Sequence, residues 1–196
     1  MEVRGKFIRY FIKMRLFVGI KLPDNLKEEI RKIEASLRKK VREVKVVSPE
    51  NLHITLKFLG EVGEKDVGNI DEKLNEVKKK FSSFDVSIGK IGSFPDDKKI
   101  RVLWIGVESH GKLKKLNSEI ERQLVTIGYK EENRFTEHIT IARFKSTPDL
   151  GFIEKLKEKY NMVISSFKVE NFSLINSKLT KSGPIYEDLE TYKLGG

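Results

Sequence analysis

One tripeptide, His-Ile-Thr, occurs twice in this chain, at His53-Ile54-Thr55 and at His138-Ile139-Thr140, and the segments around the two copies follow one order. Helical periodicity starts near residues 24 and 110, further helices start near 64 and 149, and strand patterns resume near 84 and 168. Every offset is about 85 residues, and a fixed offset carried through successive elements marks an internal repeat. The chain is therefore expected to adopt an α+β fold that is internally duplicated and two-lobed. A pseudo-two-fold axis would relate the lobes, with antiparallel sheets lining a central cleft and helices packed outside. No linker rich in Gly, Pro or Ser separates the halves, so residues 14–196 are expected to pack as one two-lobed domain.

The periodicity places the elements. Leu16 to Ile20 reads as the opening strand, and Pro23-Asp24 starts a helix with Leu26, Ile30, Ile33 and Leu37 on its inner stripe. A short strand at Val44 to Val47 and a Ser48-Pro49-Glu50-Asn51 turn lead into Leu52 to Leu59. There strict alternation buries Leu52, Ile54, Leu56 and Phe58 and puts His53, Thr55 and Lys57 on the other face. Gly60 and Gly63 end that strand, and Val67, Ile70, Leu74, Val77 and Phe81 form the stripe of the next helix. Strands are expected at 84–91 and 100–108, a helix from Gly111 to Ile127 stopped by Gly128, a helix at 149–160, and strands near 168–176 and 184–193.

On a strand, residues i and i+2 share a face and stand about 6.7 Å apart. A long imidazole and a short hydroxyl at that spacing can reach one phosphate together. Two such pairs across a cleft supply an acid and a base that titrate near neutral pH, with Thr55 and Thr140 donating to non-bridging oxygens. Lys57 and Arg143 are the candidate cations for the charge that builds there. Strict alternation gives Lys57 the His53 face but sets Arg143 opposite His138, unless the strand bulges. Phe94, beside Pro95 between two strands, is a candidate base-stacking platform, whereas Trp104 sits in an apolar strand and reads as core. A zinc site wants three or four ligands, and with no cysteine and no carboxylate at i+2 or i+4 of either motif, no metal is expected. His110, beside Gly111, reads as a surface residue. No P-loop pattern is present, which disfavours an ATP-dependent ligase.

Length and charge agree with this reading. With 196 residues, 38% of them hydrophobic, the chain can bury one substantial core, and a net charge of +10 favours a polyanionic partner. Absence of cysteine and of any apolar run near 20 residues fits a soluble, cytoplasmic protein. Abundant Lys, Glu and Ile beside one glutamine, Gln123, matches the composition of heat-adapted proteins. Residues 1–13 alternate basic and apolar side chains without a signal-peptide pattern, and read as a disordered or edge-docked extension.

The stretches PENLHITLKFLGEV, RVLWIGV, HITIAR and FSLINSKLTKSGPIYEDL, taken together, resemble the LigT-like 2′-5′ RNA ligase family of two-histidine phosphoesterases, from Met14 nearly to the end. The resemblance implies a metal-independent, cofactor-free RNA 2′,3′-cyclic phosphodiesterase that leaves a 2′-phosphomonoester. Some members also join tRNA halves through a 2′-5′ bond. It implies that His53 is the proton donor and His138 the proton acceptor, that Thr55 and Thr140 contact phosphate, and that Arg143 is the family arginine despite its parity. Two alternatives stand beside it: a module that holds RNA ends without turnover, and a phosphodiesterase for a small cyclic nucleotide or ADP-ribose cyclic phosphate. Oligomeric state is not readable from the sequence.

Overall fold

The computed structural model describes residues 13–132, 134–181 and 183–195. The expectation for residues 1–13 therefore lies outside the described residues, apart from Lys13, which opens β1 (Lys13–Lys21). There follow α1 (Asp24–Lys40), β2 (Val44–Val46), β3 (His53–Gly63), α2 (Val67–Lys78), β4 (Phe84–Phe94), β5 (Val102–Glu108), α3 (Lys112–Val125), β6 (His138–Phe144), α4 (Leu150–Lys159), β7 (Val163–Val169), β8 (Asn171–Thr180) and β9 (Gly183–Lys193). The helices form where the apolar stripes demand them. Leu26, Ile30, Ile33 and Leu37 of α1 and Leu113, Leu116, Ile120 and Leu124 of α3 are all buried. Ordinary end chemistry bounds the helices: the Asp149 carboxylate accepts from the Phe152 N–H at 3.2 Å at the start of α4, and Gly128, with φ of 94°, follows α3. No helix among the described residues is long and apolar enough to cross a membrane.

The strands run in the order β7-β4-β5-β6-β3-β1-β8-β9, all neighbours antiparallel, with β2 also paired to β6. The sheet divides into halves, β3-β1-β8-β9 and β6-β5-β4-β7, that are hydrogen-bonded to each other through one register pair, Ile54 with Ile139. Each repeat is a strand-helix-strand-helix-strand unit: β1, α1, β3, α2 and β4, then β5, α3, β6, α4 and β8. The third strand of each unit crosses over, β4 pairing with β5 and β8 with β1. Helices are exchanged as well, since α3 packs on β3 and α1 on β2 and β6. This interlocking explains why no linker separates the repeats.

Two symmetry-related bulges decide which side chains face the site. Along β1 and β3, Val18 pairs with Lys57 and Gly19 with Thr55, so Leu56 is an extra residue. Along β5 and β6, Leu103 pairs with Ala142 and Trp104 with Thr140, so Ile141 is extra. In each strand two consecutive residues, Leu56-Lys57 and Ile141-Ala142, turn inward and are buried. The next residues, Phe58 and Arg143, thereby return to the face of the histidines.

Several expectations need correction. Lys57 does not share the His53 face: the bulge turns it inward, where it is 3% exposed, and Phe58, expected in the core, is 59% exposed. Phe94 ends β4 instead of sitting in a loop. Trp104 is half-buried on the histidine face, being the cross-strand partner of Thr140, and is not core. The single strand expected near 168–176 is two, β7 and β8, with Glu170 between them, because the half-exposed β7 has too weak an apolar alternation to read as a strand.

Candidate active site

The pairing of Ile54 with Ile139 sits at the pseudo-axis, and both side chains are buried beneath the sheet. Continuing that antiparallel register by one residue sets His53 across from Thr140 and Thr55 across from His138. All four flank one gap between the half-sheets, and Arg143, exposed on β6, lies on the same face. The bulge at Ile141 thus removes the parity conflict that alternation had raised for Arg143.

Both imidazoles are held by one device. The Nδ1–H of His53 donates to the Asn51 carbonyl at 2.6 Å, and that of His138 donates to the Thr136 carbonyl at 2.7 Å. A carbonyl only accepts, so each Nδ1 carries the proton and each Nε2 is left with its lone pair. The Thr55 hydroxyl donates to the His53 Nε2 at 2.9 Å, so hydroxyl and imidazole meet at one point.

Aromatic rings wall each histidine. His53 lies 4.8 Å from the Phe17 ring and 5.2 Å, edge to face, from Tyr186 of β9, while Phe17 and Tyr186 are 5.0 Å apart. His138 lies 5.1 Å, edge to face, from Phe94 and 6.1 Å from Trp104. Phe94 is therefore part of the wall behind His138, 5.3 Å from Trp104. Gly92 makes room for that indole, since a Cβ there would come within 2.1 Å of the ring. Sequence reasoning missed Phe17, Tyr186 and the two carbonyls of Asn51 and Thr136. For the carbonyls the usable signal was position, two residues before each histidine.

These walls govern protonation. Burial is the main cause that holds the His53 imidazole down at about 4, with repulsion from Arg143, Lys21 and a protonated His138 acting the same way and the Asn51 hydrogen bond opposing them. Burial also lowers His138, as does Arg143, against its own bond to Thr136. Near pH 7 both rings flanking the gap are neutral, each with its lone pair on Nε2, and the Arg143 cation stands near enough to act on both. Such a gap accepts an anion, and the anion would raise both imidazoles again.

Lys57 takes no part in this gap. Its ammonium lies 2.9 Å from the Glu121 carboxylate and 3.5 Å from that of Glu132, and donates to the Lys130 carbonyl at 2.7 Å. His110 is exposed, as its place beside Gly111 led one to expect.

The sequence pattern of the LigT like Phosphoesterase family matches the chain twice, over residues 20–104 and 105–186. An RNA 2′,3′-cyclic phosphodiesterase of Archaeoglobus fulgidus is 39% identical over 182 residues, covering 92% of this chain and 100% of that protein. One of Methanothermobacter thermautotrophicus is 34% identical over 184 residues, covering 93% and 100%. A crystal structure of a Thermus thermophilus protein superposes with a TM-score of 0.79 at 26% identity, covering 93% of this chain and 99% of that one. Apo LigT of E. coli shares the fold, with a TM-score of 0.73 at 23% identity over 94% and 99%. The doubled match gives each half of the chain its own copy of the pattern, with one His-Ile-Thr strand in each, β3 in the first and β6 in the second, and it leads to one conclusion: this chain belongs to the LigT-like phosphoesterase family.

Proposed function

We propose that this protein is an RNA 2′,3′-cyclic phosphodiesterase of the cytoplasm, opening a terminal 2′,3′-cyclic phosphate to a 2′-phosphomonoester with His53 as proton donor and His138 as proton acceptor. The observation that supports this reading is the pair of imidazoles flanking the Ile54–Ile139 pairing, each with its Nδ1–H held by a carbonyl two residues upstream, which leaves Nε2 as the atom that can exchange a proton. Relatives in two archaea that bear the same activity in their names support it.

The steps follow from the protonation states. The cyclic phosphate monoanion enters against Arg143 and the Thr140 hydroxyl. Its charge favours the imidazolium form of His53, and the Thr55 hydroxyl, displaced from Nε2 by the incoming proton, turns to a phosphate oxygen. His138 Nε2, still neutral, takes a proton from water as the water oxygen bonds to phosphorus. The bond from phosphorus to the 3′ oxygen breaks in line, and His53 Nε2–H protonates that leaving oxygen. The product keeps its phosphate on the 2′ oxygen, and proton exchange with solvent resets both rings. An RNA 5′-hydroxyl in place of water gives a 2′-5′ bond by the same displacement, the route by which tRNA halves would be joined.

The test is turnover of a 2′,3′-cyclic nucleotide and of an RNA ending in the cyclic phosphate, followed by 31P NMR. Expected are a 2′-phosphate product, losses of about 10²-fold to 10⁴-fold in His53→Ala and His138→Ala, and no effect of a chelator. Binding of the RNA end without turnover in the wild-type protein would convert the reading to an end-binding module. A preference for the mononucleotide over RNA would assign a small cyclic nucleotide as substrate.

A further inference from the structure

The half-sheets share one register pair, yet two imidazoles acting on one phosphorus need a fixed mutual placement. A second connection runs behind the sheet. Lys57, on the bulge of β3 two residues past Thr55, is buried with its ammonium against Glu121 of α3 and the Lys130 carbonyl. Glu121 also accepts from the Glu132 N–H at 3.2 Å, and Asn117, one turn earlier on α3, donates to the Leu56 carbonyl at 2.7 Å. Lys130 and Glu132 lie in the connection from α3 to β6. Four residues past Glu132, that connection supplies the Thr136 carbonyl that accepts from His138. A cavity of about 100 Å³ borders Thr55, Lys57, Glu121, Thr136 and His138 together, so the clamp and the reacting gap are neighbours.

We propose that Lys57 is a positioning residue: its buried ammonium gathers α3 and the α3–β6 connection onto the strand of His53, and so fixes the Thr136 carbonyl that orients His138. The device is one-sided. By the repeat offset, from His53 to His138, the position related to Lys57 is Ala142, which has no charge to offer. On the His53 side, Asn51 has the corresponding task alone. Its carbonyl accepts from His53 and its side-chain amide donates to the Pro184 carbonyl at 2.7 Å, tying down the strand that carries Tyr186.

The experiment compares Lys57→Met with the double variant Lys57→Met/Glu121→Leu. The single change strands the buried Glu121 charge and lowers Tm. The double change removes both charges and restores Tm, because a buried pair replaced by apolar groups of similar size is close to neutral. Positioning predicts that kcat on 2′,3′-cyclic AMP stays about 10²-fold low in the double variant while KM moves less than about threefold. It also predicts that 15N NMR finds His138 no longer fixed in the Nδ1–H tautomer, with His53 unchanged. Recovery of kcat together with Tm would overturn the proposal, as would an unaltered His138 tautomer in both variants. The turnover arm rests on the proposed function, whereas the tautomer and Tm arms do not. A wild-type protein without phosphodiesterase activity would therefore defeat that function and leave the clamp to be decided by NMR.

Discussion

Replacing Tyr186 by Ala tests the claim that ring walls, acting through burial, set the protonation of the site. His53 stands at about 4 against an ordinary 6.5, a lowering of about 2.5 units, or ~3.4 kcal/mol of preference for the neutral ring. Burial is the largest cause, and the ring contacts come from Phe17 at 4.8 Å and Tyr186 at 5.2 Å. Removing one of two rings admits water on one side and should return somewhat under half of the lowering, about one unit or ~1.4 kcal/mol. Imidazolium at pH 7 then rises about tenfold. The assay is an NMR titration of the His53 and His138 Cε1–H signals. His53 should move up by about one unit while His138, walled by Phe94 and Trp104, stays in place. Stability follows the same sign. From pH 6.5 down to about 4 the unfolded chain takes up a proton that folded His53 refuses, so stability is lost as pH falls through that window. Tyr186→Ala should narrow the window from below. An unmoved His53 midpoint, or equal movement of both histidines, would refute the argument from local burial.

Two further outcomes are expected. Glu34, buried on α1 with one carboxylate oxygen lacking a protein partner among the described residues, is pushed up to about 7 by burial against an ordinary value of 4.5, despite nearby Arg38 and Arg31. Between those values the folded chain keeps a proton the unfolded chain has released, so stability falls as pH rises from 4.5 to about 7. Glu34→Gln should stabilise by up to about 3 kcal/mol in urea denaturation at pH 8.5 and by little at pH 4.5. In Gly92→Ala the new Cβ would meet the Trp104 indole at 2.1 Å, so the ring must leave its place beside His138. Overpacking of this kind costs about 1 to 3 kcal/mol, and Trp104, the sole tryptophan, should report it by a shifted fluorescence maximum with reduced turnover.

Strict periodicity makes part of this molecule legible from its residues alone. The helical stripes of α1, α2 and α3 and the histidine and threonine faces of β3 and β6 all obey it. Legibility ends one residue past each threonine, where Leu56 and Ile141 are inserted against a partner strand that does not match them. A bulge is fixed by pairing between distant strands, so nothing local to ITLKF or ITIARF announces it. Alternation consequently exchanges Lys57 with Phe58 and places Arg143 on the wrong face. Tyr186 and Phe17 are hidden for a related reason. Tyr186 reaches His53 only because β8 crosses to β1 and brings β9 with it, a long-range exchange that the repeat offset implies but does not locate, and Phe17 reaches it through the pairing of β1 with β3, whose register no local pattern states. Trp104 reads as core because a strand near the pseudo-axis has one apolar face on the core and another on the site.

The division of labour between the histidines is tested most directly by a substrate whose 3′ bridging oxygen is replaced by sulfur. A thiolate leaves without protonation, so a proton donor becomes dispensable while a proton acceptor does not. His53→Ala should recover to within about tenfold of wild-type turnover on this substrate, and His138→Ala should remain as impaired as on the natural one. Equal rescue of both variants, or rescue of His138→Ala alone, would contradict the assignment of donor and acceptor.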